Sequence, residues 1–408
     1  MKLLLKLGWR NIWRNKRRSL LTILAVVFAV FLTIVMRGAQ VGTWEENIKT
    51  MAKMFSGYVQ IQREGYQKNP SLQLCLVQTD SLRILIAGNP AIAAATPRIY
   101  GEGLASYKEH SLGVMILGIS PATEQHVSTF QSRLNRGTFF SSDTGTAIVV
   151  GYKLLQNLNA VIGDTIVVLA QGIDGSLGNM KYTIIGTVKT GAPEFDAMGI
   201  FMGLAAAQDL LGMQNRVHAI VLTLNNLDDI PGVQHYLTQS LDTHLAAVTW
   251  EDVNPDLKQH MEMDTTSAIL YAGILMVIVA FGILNTVLMS VTERFREFGV
   301  SLSMGMPNST LVKLIFIETA FMAAVGIIIG NIIAAITNYT IIVHPIIIGG
   351  NLGDIYQQYG FMPKIVSSLK FHLFRNASIS IFIISLISCI YPAYRVSKLE
   401  PLQGLHHV

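Results

Sequence analysis

The chain has 408 residues, 51% of them hydrophobic and only 14% charged, where a soluble protein has about a quarter charged. Mean hydropathy is +0.44, and the net charge of +4 is too small to suggest nucleic-acid binding. The two cysteines, Cys75 and Cys389, cannot build a disulfide framework and read as small apolar fillers.

The chain opens on a basic segment, residues 1–18, in which Lys2, Lys6, Arg10, Arg14, Lys16, Arg17 and Arg18 occur without one acidic residue. Leu5, Trp9, Ile12 and Trp13 share one helical face; Lys6, Arg10, Arg14 and Arg17 share another. This pattern predicts an amphipathic helix lying in the inner membrane interface, aromatics toward lipid and cations toward headgroups or a partner. Trp9, Arg10, Trp13, Arg14, Lys16, Arg17 and Arg18 are the expected anchor. A first apolar run follows at 19–38, long enough for a hydrocarbon layer of about 30 Å. It is too long for a signal h-region, and signal peptides rarely carry such a patterned flank, so it is read as a membrane helix. By the positive-inside rule its basic end is cytoplasmic.

Residues 39–266 have ordinary globular composition. Short β-type runs recur at Tyr58–Gln62, Val114–Gly118, Ala147–Val150, Thr165–Ala170, Tyr182–Val188 and Ala219–Leu224, separated by Gly- and Asp-rich turns. Helical patterns intervene at Tyr152–Leu158, Leu204–Leu211 and Val233–Leu241, which together predict an α+β domain. Val41–Met54 continues the first span as a helix, and Asp256–Thr266 leads helically into the second. These are either stalks that carry motion or simply the ends of long helices.

Three further spans are predicted at 267–292, 311–337 and 377–394, with an inner loop at 293–310, an outer segment at 338–376 and a tail at 395–408. Arg294 and Arg296 in the loop, and Arg395 and Lys398 in the tail, agree with both termini being cytoplasmic in a cell inner (plasma) membrane. The outer segment carries the breakers His344-Pro345 and Gly349-Gly350, and its role is opaque. Inside the spans Glu318 is the exceptional ionisable residue, with Lys313 a little over one turn before it. A proton site, a polar contact between helices and an interfacial group are all open readings. Gly326 and Gly330 form a G-x-x-x-G, which lets a neighbouring helix approach closely.

No G-x-x-x-x-G-K-[ST], H-E-x-x-H or G-x-S-x-G occurs. The histidines are scattered apart from His406-His407 in the tail. No catalytic residue, metal site or bound cofactor is expected, and the chain is not read as an enzyme.

The most informative stretch is NTVLMSVTERFREFGVSLSMG, Asn285–Gly305. Glu293, Arg294, Arg296 and Glu297 cluster where the second span ends, and Phe295, Phe298 and Leu302 recur at helical spacing. This is a short helix whose apolar ridge either docks into a groove on a cytosolic partner or rests on lipid.

These residues resemble the FtsX-like, or MacB-type, permeases of ATP-binding cassette (ABC) transporters. The opening WRNIWRNKRRSLLT, the S-V-x-E-R-x-R-E-x-G run at Ser290–Gly299 and the tail PAYRVSKLEPLQGL at Pro392–Leu405 each match a family pattern. RGTFFSSDTGTAIVVGYKLLQNLNAVIGDTIVV is similar to the MacB-type periplasmic core, and Glu318 falls where the family usually has Glu. The expected fold is four transmembrane helices with a large α+β extracytoplasmic domain between the first two. The resemblance implies a dimer with a second protomer, identical or homologous, and two cytosolic ABC ATPase subunits that supply ATP and Mg. It also implies that Glu293, Arg294, Phe295, Arg296, Glu297, Phe298, Gly299 and Leu302 form an ATPase-coupling helix. Two departures stand out: SLSMGMPNS replaces the usual continuation after the coupling helix, and Gly404 replaces an Ala.

Within the family, SGYVQIQREGYQKNPSL at Ser56–Leu72 looks most like the lipoprotein-releasing branch, with a periplasmic chaperone or adaptor as a further partner. Val41, Trp44 and Ile48 would then line an acyl-chain cavity between two protomers. Efflux of peptides or drugs, and regulation of a cell-wall hydrolase, are the alternatives.

Overall fold

The structure is a computed structural model that describes residues 2–14, 16–358 and 362–399. Residues 359–361 of the outer segment and the tail from Glu400 on, with Gly404 and His406-His407, lie outside the described residues. The chain divides into two compact units. One comprises Met1–Trp44, Met261–Ile347 and Lys364–Val408, the other Glu45–His260 and Ile348–Pro363.

In the first unit an amphipathic helix, Lys2–Arg14, precedes four helices long and apolar enough to cross a membrane. The first runs Lys16–Met51, the second Pro255–Glu293 and the third Asn308–Val343. The fourth is Phe371–Ser388, continued after a break at Cys389 by Ile390–Ser397. The first helix has 36 residues, about 54 Å of rise, so much of it must lie beyond a hydrocarbon layer of about 30 Å. The fourth starts six residues before the expected span. Its first turns carry His372 and Arg375, which end an apolar run without ending a hydrogen-bonded helix.

The third helix packs tightly on the first. A β-carbon at Gly326 would lie 2.7 Å from Val26, and one at Gly330 2.8 Å from Val30, so both positions must lack one. Val26, Val30, Ile34, Ile315, Ala334 and Ile381 form part of the buried centre. The second helix buries Val279, Ile283, Val287 and Val291 at intervals of four, but no side chain is buried from Met261 to Ile278.

The second unit is built on a ten-stranded sheet. Its strands are β1 (Val59–Arg63), β3 (Ile92–Tyr107), β4 (His110–Ile119), β5 (Leu134–Gly137), β6 (Ala147–Gly151), β7 (Thr165–Gln171), β8 (Leu177–Val188), β9 (Gly199–Gly203), β11 (Ala219–Leu224) and β12 (Leu245–Thr249). The short β2 (Leu76–Val77) and β10 (Arg216–Val217) pair with each other. The order is β12-β1-β11-β3-β4-β9-β6-β8-β5, and β7 bridges β3 and β8. The ladders β3-β4-β9-β6-β8-β7 thus close on themselves, which removes most free edges. Leu117, Ile119, Phe130, Phe140, Val149, Val188 and Phe201 fill one core. Arg98 and Glu124, both 1% exposed, form a buried ion pair at 2.6 Å. The α+β domain between the first two membrane helices is therefore present as expected.

Candidate functional site

At the end of the second helix the chain turns at Arg294 into a short helix, Phe295–Ser303. Charged groups from five helices meet there. The Arg294 guanidinium donates through Nη1 to both carboxylate oxygens of Glu318 on the third helix, at 3.0 and 2.9 Å. Asn11 of the amphipathic helix donates to the same carboxylate at 2.6 Å. Arg14 donates to Glu297 at 2.7 Å, and Arg18 pairs with Glu293. Arg294 also reaches Glu297 at 3.3 Å and lies over the Phe298 ring, 5.0 Å from its centroid. Partial burial raises the pKa of Glu297, but hydrogen bonds and charge from Arg14 and Arg294 outweigh it and hold the carboxyl below its ordinary value.

The network is closed to bulk solvent on one side. Arg294 and Glu318 have side chains 10% and 12% exposed, so each charge needs its partners within the protein for compensation. A cavity of about 40 Å³ beside them is lined by Asn11, Thr22, Ser290, Arg294 and Glu318, among others. That is room for a few water molecules and far too little for a solute path. Lys313 is exposed. Five residues are about 140° around a helix, so it lies on another face from Glu318.

The chain matches the MacB-like periplasmic core domain over residues 19–240 and the FtsX-like permease C-terminal domain over 269–401. It belongs to the FtsX-like, MacB-type family of ABC permeases. It is 21% identical to the lipoprotein-releasing system transmembrane protein LolC of Xylella fastidiosa over 410 residues, 97% of this chain and 96% of the relative. It is 22% identical to the macrolide export ATP-binding/permease protein MacB of Bdellovibrio bacteriovorus over 434 residues, 98% of this chain and 61% of that protein. The crystal structure of the periplasmic region of MacB from Actinobacillus actinomycetemcomitans aligns with 53% of this chain and 98% of its own length, at 12% identity and a TM-score of 0.37.

In this permease the expected coupling residues divide in two. Phe298 is 3% and Leu302 9% exposed, Gly299 is buried, and Phe295 is half-buried against the same membrane core. The apolar ridge read as a docking face is therefore turned inward, which corrects that expectation: the ridge has apolar partners in its own chain. Arg294 is buried as well, while Glu293 and Glu297 are engaged by Arg18 and Arg14. The exposed stripe consists of Arg296, Val300 and Met304, the last 77% exposed. Their spacing of four puts them on one side.

The expected anchor is also redistributed. Trp9 packs edge-on against Phe321 of the third helix at 5.7 Å and Trp13 at 6.2 Å, and Ile12 is buried. Arg10, Lys16 and Arg17 stay exposed, whereas Arg14 and Arg18 turn toward the loop carboxylates. Asn11 was missed as a site residue. A polar residue at one turn from Gly8 and Arg14 carries no signal until its partner, 307 residues away, is known.

Of the three stalk residues, Val41 and Trp44 are half-buried. The Trp44 indole donates to Asp264 at 2.6 Å, and Gln40 donates to the same carboxylate at 2.9 Å. Ile48 is only 7% exposed.

Proposed function

We propose that this chain is the membrane subunit of an ABC transporter driven by separate cytosolic ATPase subunits, and that it releases lipidated polypeptides from the outer leaflet. The observation that carries the ATPase part is the short helix after Arg294. Its back is locked by three sets of ion pairs, and its free side offers Arg296, Val300 and Met304. A helix that transmits force into a partner groove needs both a rigid back and an exposed apolar stripe. ATP and Mg would be held by the partner, since no phosphate-cradling loop occurs in this sequence. Both termini are cytoplasmic in this reading. The uncovered outer half of the second helix meets lipid or a second protomer, identical or homologous.

The named likeness to lipoprotein-releasing LolC supports lipidated cargo. The equal likeness to MacB supports a second reading, export of soluble peptides or drugs from the periplasm. The two are separated by reconstituting the chain with its ATPase subunits in lipid nanodiscs. ATP-dependent transfer of a triacylated lipopeptide to a periplasmic lipoprotein chaperone, with no response to its unacylated form, is the expected result. Stimulation by the unacylated peptide alone moves the assignment to export.

A further inference from the structure

The contacts between the membrane helices give each residue a depth. The first and third helices run in parallel register, with Val26 against Gly326, Val30 against Gly330 and Gly38 against Asn338. That register sets Arg18 level with Glu318, and Arg37 level with Thr337. Residues 19–36 between the two arginines carry no charge. At about 1.5 Å per residue, Arg18 and Arg37 stand about 28 Å apart, which matches a hydrocarbon layer of about 30 Å. The amphipathic helix marks one boundary, since Asn11 reaches Glu318 and Trp9 packs on Phe321. The other boundary therefore lies near Arg37 and Thr337, on the side of the α+β domain.

The fourth helix runs antiparallel to the third. Thr319 donates to Cys389 Sγ at 3.3 Å, and Asn331 donates to Ser378 at 2.9 Å. Continued outward, this register sets Thr337 level with Phe371 and His372, so Arg375 lies about 5 Å inside the boundary. Leu373, Ala377, Ile381 and Ser385 are buried against the bundle. Phe371, Arg375, Ile379, Ile383 and Ile387 form the opposite, exposed stripe, one residue per turn. A guanidinium thus sits in an apolar face turned away from the protein. Its Nε donates to the Asn376 side-chain oxygen at 3.3 Å, and no carboxylate pairs with it among the described residues. His372, three residues earlier on the same side, is exposed as well.

We propose that Arg375 and His372 hold the phosphate of a phospholipid in the leaflet beside the α+β domain, with its acyl chain along Ile379 and Ile383. A cation at this depth is costly unless its side chain rises to an anion at the layer's edge. The anion found at that edge is the lipid phosphate. A guanidinium meets it with two parallel N–H donors, and with Asn376 on Nε the two terminal nitrogens face outward. A soluble anion would have to leave water to reach Arg375, whereas a lipid brings its phosphate there with its chains already buried. Phe371, 76% exposed, stands at the boundary, where aromatic rings sit at headgroup level. The inference goes beyond the proposed function and holds for either cargo, because it rests on the depth of these residues alone.

The test needs neither ATPase subunits nor cargo, so its failure is distinct from failure of the transporter assignment. The full chain carries a bimane fluorophore on Ile379→Cys, both native cysteines being buried, in nanodiscs of a phosphate-free diacyl glycolipid. Phosphatidylglycerol or a diacylglycerol glucoside, each spin-labelled on the same acyl chain, is added at equal fractions, and quenching reports which lipid sits beside the probe. Phosphatidylglycerol should be enriched about fivefold over the glucoside. Arg375→Gln should bring the two to parity, His372→Gln should give an intermediate value, and a large excess of inorganic phosphate should change nothing. Equal quenching by the two lipids, enrichment that survives Arg375→Gln in full, or displacement by inorganic phosphate would each overturn the proposal. Absence of quenching by either lipid would show that protein covers this face, and would overturn it too.

Discussion

Glu318 and Arg294 bury opposite charges against each other, and each supplies most of the other's compensation, with Glu297 beside Arg294 and Asn11 beside Glu318 adding to it. Removing one partner leaves the other charge short of compensation, a loss of up to about 3–5 kcal/mol. Glu318→Ala should therefore lower the thermal stability of the purified permease sharply, and Arg294→Met likewise. The double variant Glu318→Leu with Arg294→Met should recover most of the loss, because no charge then remains buried; a double variant no better than the singles would show that the pair is not the source. The sequence showed Glu318 as exceptional and left its role open. It could not supply the partners, since Arg294 is 24 positions away and Asn11 is 307, and only the packed fold brings them together. His218 in the outer domain makes a separate case. It is fully buried, its Nδ1 accepts the Tyr100 N–H at 3.1 Å, and its ring stacks on Tyr66. Burial lowers its pKa from 6.5 to about 4, outweighing an opposing backbone contact from Leu72. Between those values the unfolded chain takes up a proton that the folded chain refuses. The stabilisation is complete above about pH 6.5 and is lost as pH falls toward 4, by about 3 kcal/mol. Melting curves across that range should steepen in this direction. His218→Asn keeps an acceptor for Tyr100 and should flatten the pH dependence; an unchanged slope would assign it to other groups.

At the scale of elements the helix Phe295–Ser303 shows what periodicity reports and what it leaves out. The spacing of Phe295, Phe298 and Leu302 identified an amphipathic helix but could not say whose apolar surface the ridge meets. Because membrane helices offer a nearby apolar surface, the ridge is absorbed into its own chain, and the side left exposed is Arg296, Val300 and Met304. Met304→Glu should abolish pull-down of the ATPase subunits while leaving the melting temperature of the permease intact. Phe298→Ala should do the reverse in emphasis, opening a core cavity at a cost of about 3–5 kcal/mol. ATPase binding that survives Met304→Glu at wild-type strength would remove the exposed stripe as the docking face. The outer domain teaches a related lesson. Six strands were readable because Val, Ile and Tyr are dense in them, as in Ala147–Gly151 and Thr165–Gln171. The 16-residue β3 was not, since IAAATPRIYGEGLASY mixes Ala, Gly and Pro with no alternation. Tertiary pairing with β4, β7 and β11 holds this stretch extended where local propensity does not.

For the whole molecule, the proposed function raises the question of how work done by a cytosolic ATPase would reach a domain folded outside. Two unbroken helices, Lys16–Met51 and Pro255–Glu293, supply residues to both compact units. Asp264 ties them together through Trp44 and Gln40. A continuous hydrogen-bonded helix is stiff along its axis, so displacement at one end is felt at the other; a break in the ladder would absorb it. Lys49 lies in the last turns of the first helix and is exposed, so substituting it perturbs little packing. Lys49→Pro removes one backbone donor and crowds the preceding turn, breaking the helix locally at a cost of about 3 kcal/mol. Lys49→Ala serves as the control that keeps the helix. With the lever intact only in the control, the proline variant should still bind the ATPase subunits and hydrolyse ATP at a basal rate within about twofold of the parent, while cargo release falls by about tenfold or more. Release at the parental rate from a demonstrably broken helix would mean that the first membrane helix does not carry the stroke, and the second, with its loosely held outer half, would have to carry it alone.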